Sequence, residues 1–157
     1  MNKKNLLFIP AYNCLTQLER MLNKYNENDF HHYQTILIID NCSSDETAET
    51  AKQVILEKKI KNCKIIKNNK NYGLGGSHKI AFKYAIDNEF DYCCVLHGDD
   101  QGDLKDLNKV IIKEDFSNFS CLRAGRFKPG STLIGYSNFR IFGNIVLRYV
   151  YSILINK

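Results

Sequence analysis

Several absences narrow the chemistry of the chain before any motif is read. Basic residues interleaved with aromatics are missing, so the net charge of +5 is no nucleic-acid signature. The lysine groups at Lys58, Lys59, Lys61 and at Lys64, Lys67, Lys70 read as solvated faces that would also suit anionic lipid or a phosphorylated ligand. No two of the six cysteines stand in CxxC spacing, and no signal peptide opens the sequence. The expectation is reduced, buried thiols in a cytosolic compartment, with Cys93, Cys94 and Cys121 as strand residues. Zinc held by Cys93, Cys94 and His97 is disfavoured, because adjacent strand residues face opposite ways. A GxxxxGK[ST] loop is lacking, which removes phosphate binding of the ATPase kind. Acidic residues are also missing after the first strand, where a phosphoacceptor receiver would need them and where Pro10, Ala11 and Tyr12 stand instead. Gly73, Gly75 and Gly76 follow the third strand rather than the first, with His78 at the last glycine position, so they match a dinucleotide fingerprint only superficially.

What is present fits one soluble α/β domain. A length of 157 residues suffices for a single core, and 44% hydrophobic with 25% charged residues is a globular balance. Short apolar runs at Asn5–Pro10, Thr35–Ile39, Cys63–Lys67 and Tyr92–Leu96 read as strands. Between them lie helical stripes: Leu15, Leu18, Leu22 and Tyr25, with Thr16 and Glu19 as a capping box; Ala48, Ala51, Val54 and Ile55, with Ser43 and Glu46 as the next; and Ile80, Ala81, Tyr84 and Ala85 after a glycine-bearing loop. A helix carrying Leu104, Leu107, Val110 and Ile111 follows, then a strand around Phe119–Ala124. Strand and helix alternate, which predicts a largely parallel sheet with helices on both faces.

In such sheets ligands bind beyond the carboxyl ends of the strands. The polar residues of this chain gather there: Tyr12 and Asn13, Asp40 and Asn41, Asn71 to Gly76, and His97 to Gln101. The stretch YCCVLHGDDQGD, from Tyr92 to Asp103, is the sharpest of them. A buried strand stops on carboxylates, with His97 and Asp99 pointing to one side, Asp100 to the other, and Gly98 leaving room for close approach. That pattern suits a hard cation carrying phosphate oxygens.

In order and at the right spacing, FIPAYN, IIDNCSSDET, NYGLGGSHKIAF and LHGDDQGDL resemble the motifs of family 2 glycosyltransferases of the GT-A fold. The likeness is greatest to the branch of dolichyl-phosphate mannose synthase and the bacterial polyprenyl-phosphate sugar transferases, and it covers about residues 5 to 127. The resemblance implies that Pro10, Ala11, Tyr12 and Asn13 line a nucleotide, that Asp40 or Asn41 reads its base, and that Gly73 admits the backbone close to it. It implies that Asp99, assisted by Gln101, holds a divalent metal, Mg or Mn, on the diphosphate of a nucleotide-sugar, with His97 and Gly98 beside it. His97 stands where the family has the first aspartate of D-x-D, which leaves Asp100 as an alternative carboxylate and makes Asp99 and Asp100 the catalytic candidates. HGDDQ is similar to a variant recurrent in bacterial members. Asn41 replaces the second aspartate of the usual VVDDGSTDGT. Arg126, in AGRF, matches an element that contacts an acceptor phosphate, and Arg140, beyond the stretch that the resemblance covers, is a candidate for a second such arginine.

From Ser137 the pattern changes. Arg140, Asn144, Arg148 and Ser152 recur every fourth residue, a polar strip drifting about 40° per step on an otherwise apolar helix. As a bilayer span it would place Arg148 near the middle at a cost of about 2.5–3.5 kcal/mol. Lying in the membrane interface suits it better, the alternative being a helix that covers the sheet. The expected organisation is a catalytic domain over 1–136 and an amphipathic helix over 137–157. Family members normally run on past this point, so the resemblance implies a truncated or minimal version. The implied activity is inverting, metal-dependent transfer of a sugar from a nucleotide-diphosphate sugar to a polyprenyl phosphate or a cell-surface glycan, in the cytoplasm at the inner face of the membrane. The alternative is a nucleotide-sugar-binding remnant without catalysis.

Overall fold

The computed structural model describes residues 3–113, 119–125 and 137–155. The chain divides into two compact units, Met1–Glu114 and Asp115–Lys157. In the first, strands Asn5–Ala11 (β1), Thr35–Asp40 (β2), Cys63–Lys67 (β3) and Tyr92–Val95 (β4) form one parallel sheet in the order β3-β2-β1-β4. Helices Leu15–Asn23 (α1), Thr47–Glu57 (α2), Gly73–Asp87 (α3) and Leu104–Lys113 (α4) complete it. β1 and β2 are apolar at nearly every position because both sheet faces are covered. Leu7, Ile9, Ile36 and Ile38 pack on one side with α1, α2 and α4, while Leu6, Phe8, Leu37 and Ile39 pack on the other with Ala81 and Ala85 of α3.

The topology places the site. From β1 the chain builds outward through β2 to β3, and α3 then carries it back to the opposite side of β1, where β4 pairs Phe8 with Val95. Successive connections leave β1 in opposite directions, so a crevice opens beyond the carboxyl ends of β1 and β4.

Several expectations need correction. β4 is half-buried rather than buried, because among the described residues it forms the sheet edge. Residues 119–125 hold no regular structure, and Phe119 and Leu122 stay 51% exposed, so no face covers a strand there. Cys121 is exposed accordingly. Neither expected capping box forms. The Thr16 hydroxyl donates to the Gln17 side chain, and Ser43 is engaged with Asp40. One carboxylate serves both helices instead: Asp45 accepts from the Leu15 N–H of α1 at 3.3 Å and from the Thr47 N–H of α2 at 3.2 Å. The glycines do not form a loop ahead of α3 but its first turn, which begins at Gly73 with φ +69°. Gly76 is required there, since a Cβ would lie 2.4 Å from the Cβ of Tyr72.

In the second unit the described structure is dominated by Asn138–Leu154 (α5), capped by Ser137, whose hydroxyl accepts from the Arg140 N–H at 3.3 Å. No residue of α5 is buried. No helix among the described residues is long and apolar enough to cross a membrane.

Candidate active site

A cavity of about 270 Å³ opens at the switch point, lined from β1 by Pro10, Ala11 and Tyr12, from β2 by Asn41, from the start of α3 by Asn71, Gly73, Leu74 and Ser77, and after β4 by His97, Gly98 and Asp99. Cys14 completes the wall. Burial raises the Cys14 thiol, and the carboxylates of Asp45, Asp40 and Asp99 add to this, so it stays protonated and serves as an apolar surface.

Each strand end delivers its residues for a local reason. After β4 the backbone turns at Gly98, whose N–H donates to the Pro10 carbonyl at 3.1 Å. A Cβ at this position would lie 3.1 Å from that same oxygen and 3.3 Å from Leu18, so glycine lets the two strand ends meet without the neighbours having to give way. The turn leaves Asp99 exposed beside the cavity, its Oδ1 accepting from the Gln101 N–H at 3.1 Å. His97 also lines the cavity, with its ring 6.2 Å from that of His78.

Asn41 does a different job. Its Oδ1 accepts from the Tyr72 N–H and from the Asn68 amide, both at 3.0 Å, and its Nδ2 donates to Asn71 Oδ1 at 2.7 Å. Asn71 Oδ1 in turn accepts from the Gly73 N–H at 2.8 Å. The backbone donors of Tyr72 and Gly73 fix both amide orientations, so Asn41 ties the end of β2 to the start of α3.

The structure brings Pro10, Ala11, Tyr12, Asn41, Gly73, His97, Gly98 and Asp99 together around the cavity, and it places the other sequence candidates elsewhere. Asp40 is fully buried behind the wall, with Oδ1 accepting from Ser43 while Oδ2 has no hydrogen-bond partner and lies 3.8 Å from Lys67 Nζ. The Asn13 side chain accepts from Ser44, bracing the loop after β2. Asp100 turns toward α1, and Gln101 is exposed outside the lining. Arg126 lies outside the described residues. Sequence reasoning missed Cys14 and Ser77. Ser77 had a signal, standing four residues after Gly73 and hence on the same helix face. Its hydroxyl is buried without a partner.

Among the described residues, the one carboxylate donor at the cavity is Asp99, which could serve a divalent metal only together with oxygens of a bound ligand. Asp99 offers an exposed carboxylate, while no group of three or more His, Cys, Asp or Glu among the described residues could hold an ion by itself. A cation here would therefore depend on ligand oxygens, as Mg typically does when it carries substrate phosphates.

A model of glycosyl transferase family 2 matches residues 7–148. The chain belongs to this family. Among curated proteins it is similar to a dolichyl-phosphate beta-glucosyltransferase of Dictyostelium discoideum, 29% identical over 111 residues, which is 66% of this chain and 33% of that protein. The chain thus spans about a third of the length of that relative. Two solved structures align with part of it. One is the mannosyltransferase PcManGT of Pyrobaculum calidifontis in complex with GDP-Man and Mn2+, with a TM-score of 0.45, 15% identity, and coverage of 52% of this chain and 24% of that one. The other is S. aureus TarS, with a TM-score of 0.49, 22% identity, and coverage of 69% and 19%. For this family 2 chain, the mostly parallel sheet with helices on both faces is the expected GT-A-like core.

Proposed function

We propose that the cavity binds a nucleotide-diphosphate sugar and that the chain transfers the sugar, with inversion, to a polyprenyl phosphate or a cell-surface glycan at the cytoplasmic face of a membrane. The observation that carries this reading is the convergence of the ends of β1, β2 and β4 and the start of α3 on one cavity bordered by an exposed carboxylate, Asp99, in a family 2 chain. Pro10 and Tyr12 offer walls for the nucleoside, and Gly73, with nothing within 4 Å of where a Cβ would be, lets a ligand approach the backbone. Asp99 faces the diphosphate end with His97 and Gly98 beside it, Gln101 assisting from outside the lining. A divalent Mg or Mn held by Asp99 would stabilise the charge that develops on the departing diphosphate.

In the transfer, an acceptor oxygen bonds the anomeric carbon as the bond from that carbon to the diphosphate oxygen breaks, and the electron pair leaves with the nucleotide diphosphate. A polyprenyl phosphate is already anionic and needs no base, whereas a glycan hydroxyl needs a carboxylate to take its proton. The name of the Dictyostelium relative favours the phosphate acceptor. Arg126 is the proposed contact to it, a planar guanidinium being suited to phosphate. Contact with the membrane surface is supported by α5, which leaves Phe139, Phe142, Leu147 and Ile153 more than half exposed.

A second reading, nucleotide binding without transfer, is favoured by Asn41, whose polar atoms are engaged within the chain. One experiment addresses both. UDP and GDP are titrated calorimetrically into the protein with Mn, with Mg and with chelator, and transfer from the matching nucleotide-sugar is then assayed. Metal-dependent binding of one nucleotide is expected, and binding of neither under any condition overturns the donor site. Binding without transfer supports the second reading. Asp99→Ala should lower transfer by about 100-fold or more, the scale on which one electrostatic group at a developing charge acts. Unchanged turnover removes Asp99 from the metal role.

A further inference from the structure

Asp100 looks like the spare carboxylate of the HGDDQ stretch, yet its surroundings give it a different task. Its side chain is only 4% exposed and is gripped by two cations, Arg20 of α1 and Lys24, the residue that ends that helix: Arg20 Nε lies 2.6 Å from Oδ2 and Lys24 Nζ lies 2.5 Å from Oδ1. Both carboxylate oxygens are therefore engaged by cations, and the side chain is turned toward α1 rather than into the cavity lining. Arg20 and Lys24 are four residues apart, and Lys24 at the C-cap keeps helical backbone angles, so the two are neighbours on one side of the helix, while Leu18, Met21 and Leu22 bury another face in the core. The pair thus projects from a helix that packing holds still.

The backbone at Asp100 explains why such a grip is needed. Its φ is +61°, a left-handed conformation that L residues other than glycine adopt at a cost, aspartate and asparagine least of all. Two residues earlier the same turn is pinned to β1 by the Gly98 N–H bond to the Pro10 carbonyl. Between these two fixed points stands Asp99. A turn held at one end only could rotate, and a carboxylate displaced by about 1 Å loses much of its value as a ligand or catalytic group.

We propose that Arg20 and Lys24 are positioning residues which, by clamping Asp100, hold the 98–100 turn so that Asp99 presents its carboxylate to the cavity. The proposal rests on the donor-site reading above, and it assigns Asp100 to anchoring rather than to catalysis or direct metal binding.

The test measures Mn2+ affinity by the free-ion electron paramagnetic resonance signal, in the presence of whichever nucleotide the unaltered protein binds, with thermal melting as a control of folding. Three variants are compared: Asp100→Asn, which tolerates the same φ but lacks the charge; Arg20→Ala with Lys24→Ala; and the exchange Arg20→Lys with Lys24→Arg, which keeps both charges. The first two should bind Mn2+ about tenfold more weakly, the scale seen when groups supporting a metal ligand are removed, while still melting cooperatively. The exchange should recover most of the affinity. Affinity unchanged in Asp100→Asn overturns the proposal, as does equal loss in the exchange variant, which would mean that the face of α1 matters rather than its charge. If the unaltered protein binds neither Mn2+ nor nucleotide, the donor site itself falls, and the positioning role with it.

Discussion

Asn41 shows how one atom decides what a residue can do. The family pattern carries a second aspartate here, so Asn41→Asp reads on paper as a restoration. In this chain the amide nitrogen donates to Asn71 Oδ1, which also accepts from the Gly73 N–H. A carboxylate would set oxygen against oxygen at 2.7 Å and add a second buried charge beside Asp40, which is fully buried with one oxygen lacking a hydrogen bond. Unsatisfied or repelling buried polar groups cost about 1–3 kcal/mol. Asn41→Asp is therefore expected to lower stability by about that amount, read as a drop in the urea midpoint at constant m-value. A midpoint equal to or above that of the unaltered protein would show that the Asn41–Asn71 bond does not fasten the loop. Sequence could flag position 41 as polar and near the ligand. It could not reveal the bond to Asn71, because that contact joins residues separated by 30 positions.

Among the elements, the strands were the most legible. β1, β2, β3 and β4 begin and end within one residue of their apolar runs, and in the central pair β1 and β2 burial on two faces writes itself into sequence as nearly uninterrupted hydrophobicity. The starts of α1 and α4 were legible at Leu15 and Leu104, but the caps of α1 and α2 were not. Asp45 caps α1 across 30 positions and α2 across two, and the local Ser and Thr candidates found other partners. Burial alone would push the Asp45 carboxyl up, but the Thr47 hydroxyl and the N–H groups of Leu15 and Thr47 outweigh it, so the folded value lies below the usual carboxylate range. A depressed folded value means that the charged form favours the folded state. The contribution is complete above the carboxylate's unfolded pKa and is lost as pH falls through the folded value. Melting temperature should thus decline as the solution is acidified below about pH 4, the ordinary range for an aspartate. Asp45→Asn, which keeps one acceptor, should flatten that decline and cost about 0.5–2 kcal/mol at neutral pH through the weakened caps. An acid limb identical in the two proteins would show that Asp45 does not carry it.

Charge is distributed unevenly over the whole molecule. Residues 116–157 hold six of the 22 basic residues and none of the 17 acidic ones, so the net charge of +5 belongs to this segment while the remainder is close to neutral. The same segment carries α5, whose apolar side chains are all at least partly exposed and whose 17 residues would span about 26 Å at 1.5 Å per residue, short of a hydrocarbon core of about 30 Å. A helix that is apolar on most of its surface and set in an acid-free, basic stretch would suit an anionic bilayer surface, as the proposed function requires. Each basic residue near such a surface contributes about 1 kcal/mol, attenuated by salt, while the exposed aromatics add burial that salt does not weaken. The protein should co-float with vesicles containing about one-third anionic lipid and much less with zwitterionic vesicles, the difference shrinking at about 1 M salt, where the Debye length is near 3 Å. Arg140→Glu with Arg148→Glu should abolish the difference at low salt, and removal of 137–157 should abolish flotation altogether. Equal recovery with and without anionic lipid would mean that the charge takes no part in membrane contact. Absence from both float fractions would leave α5 to cover protein rather than lipid, the arrangement in which a polyprenyl acceptor loses its support and a glycan acceptor becomes the better fit.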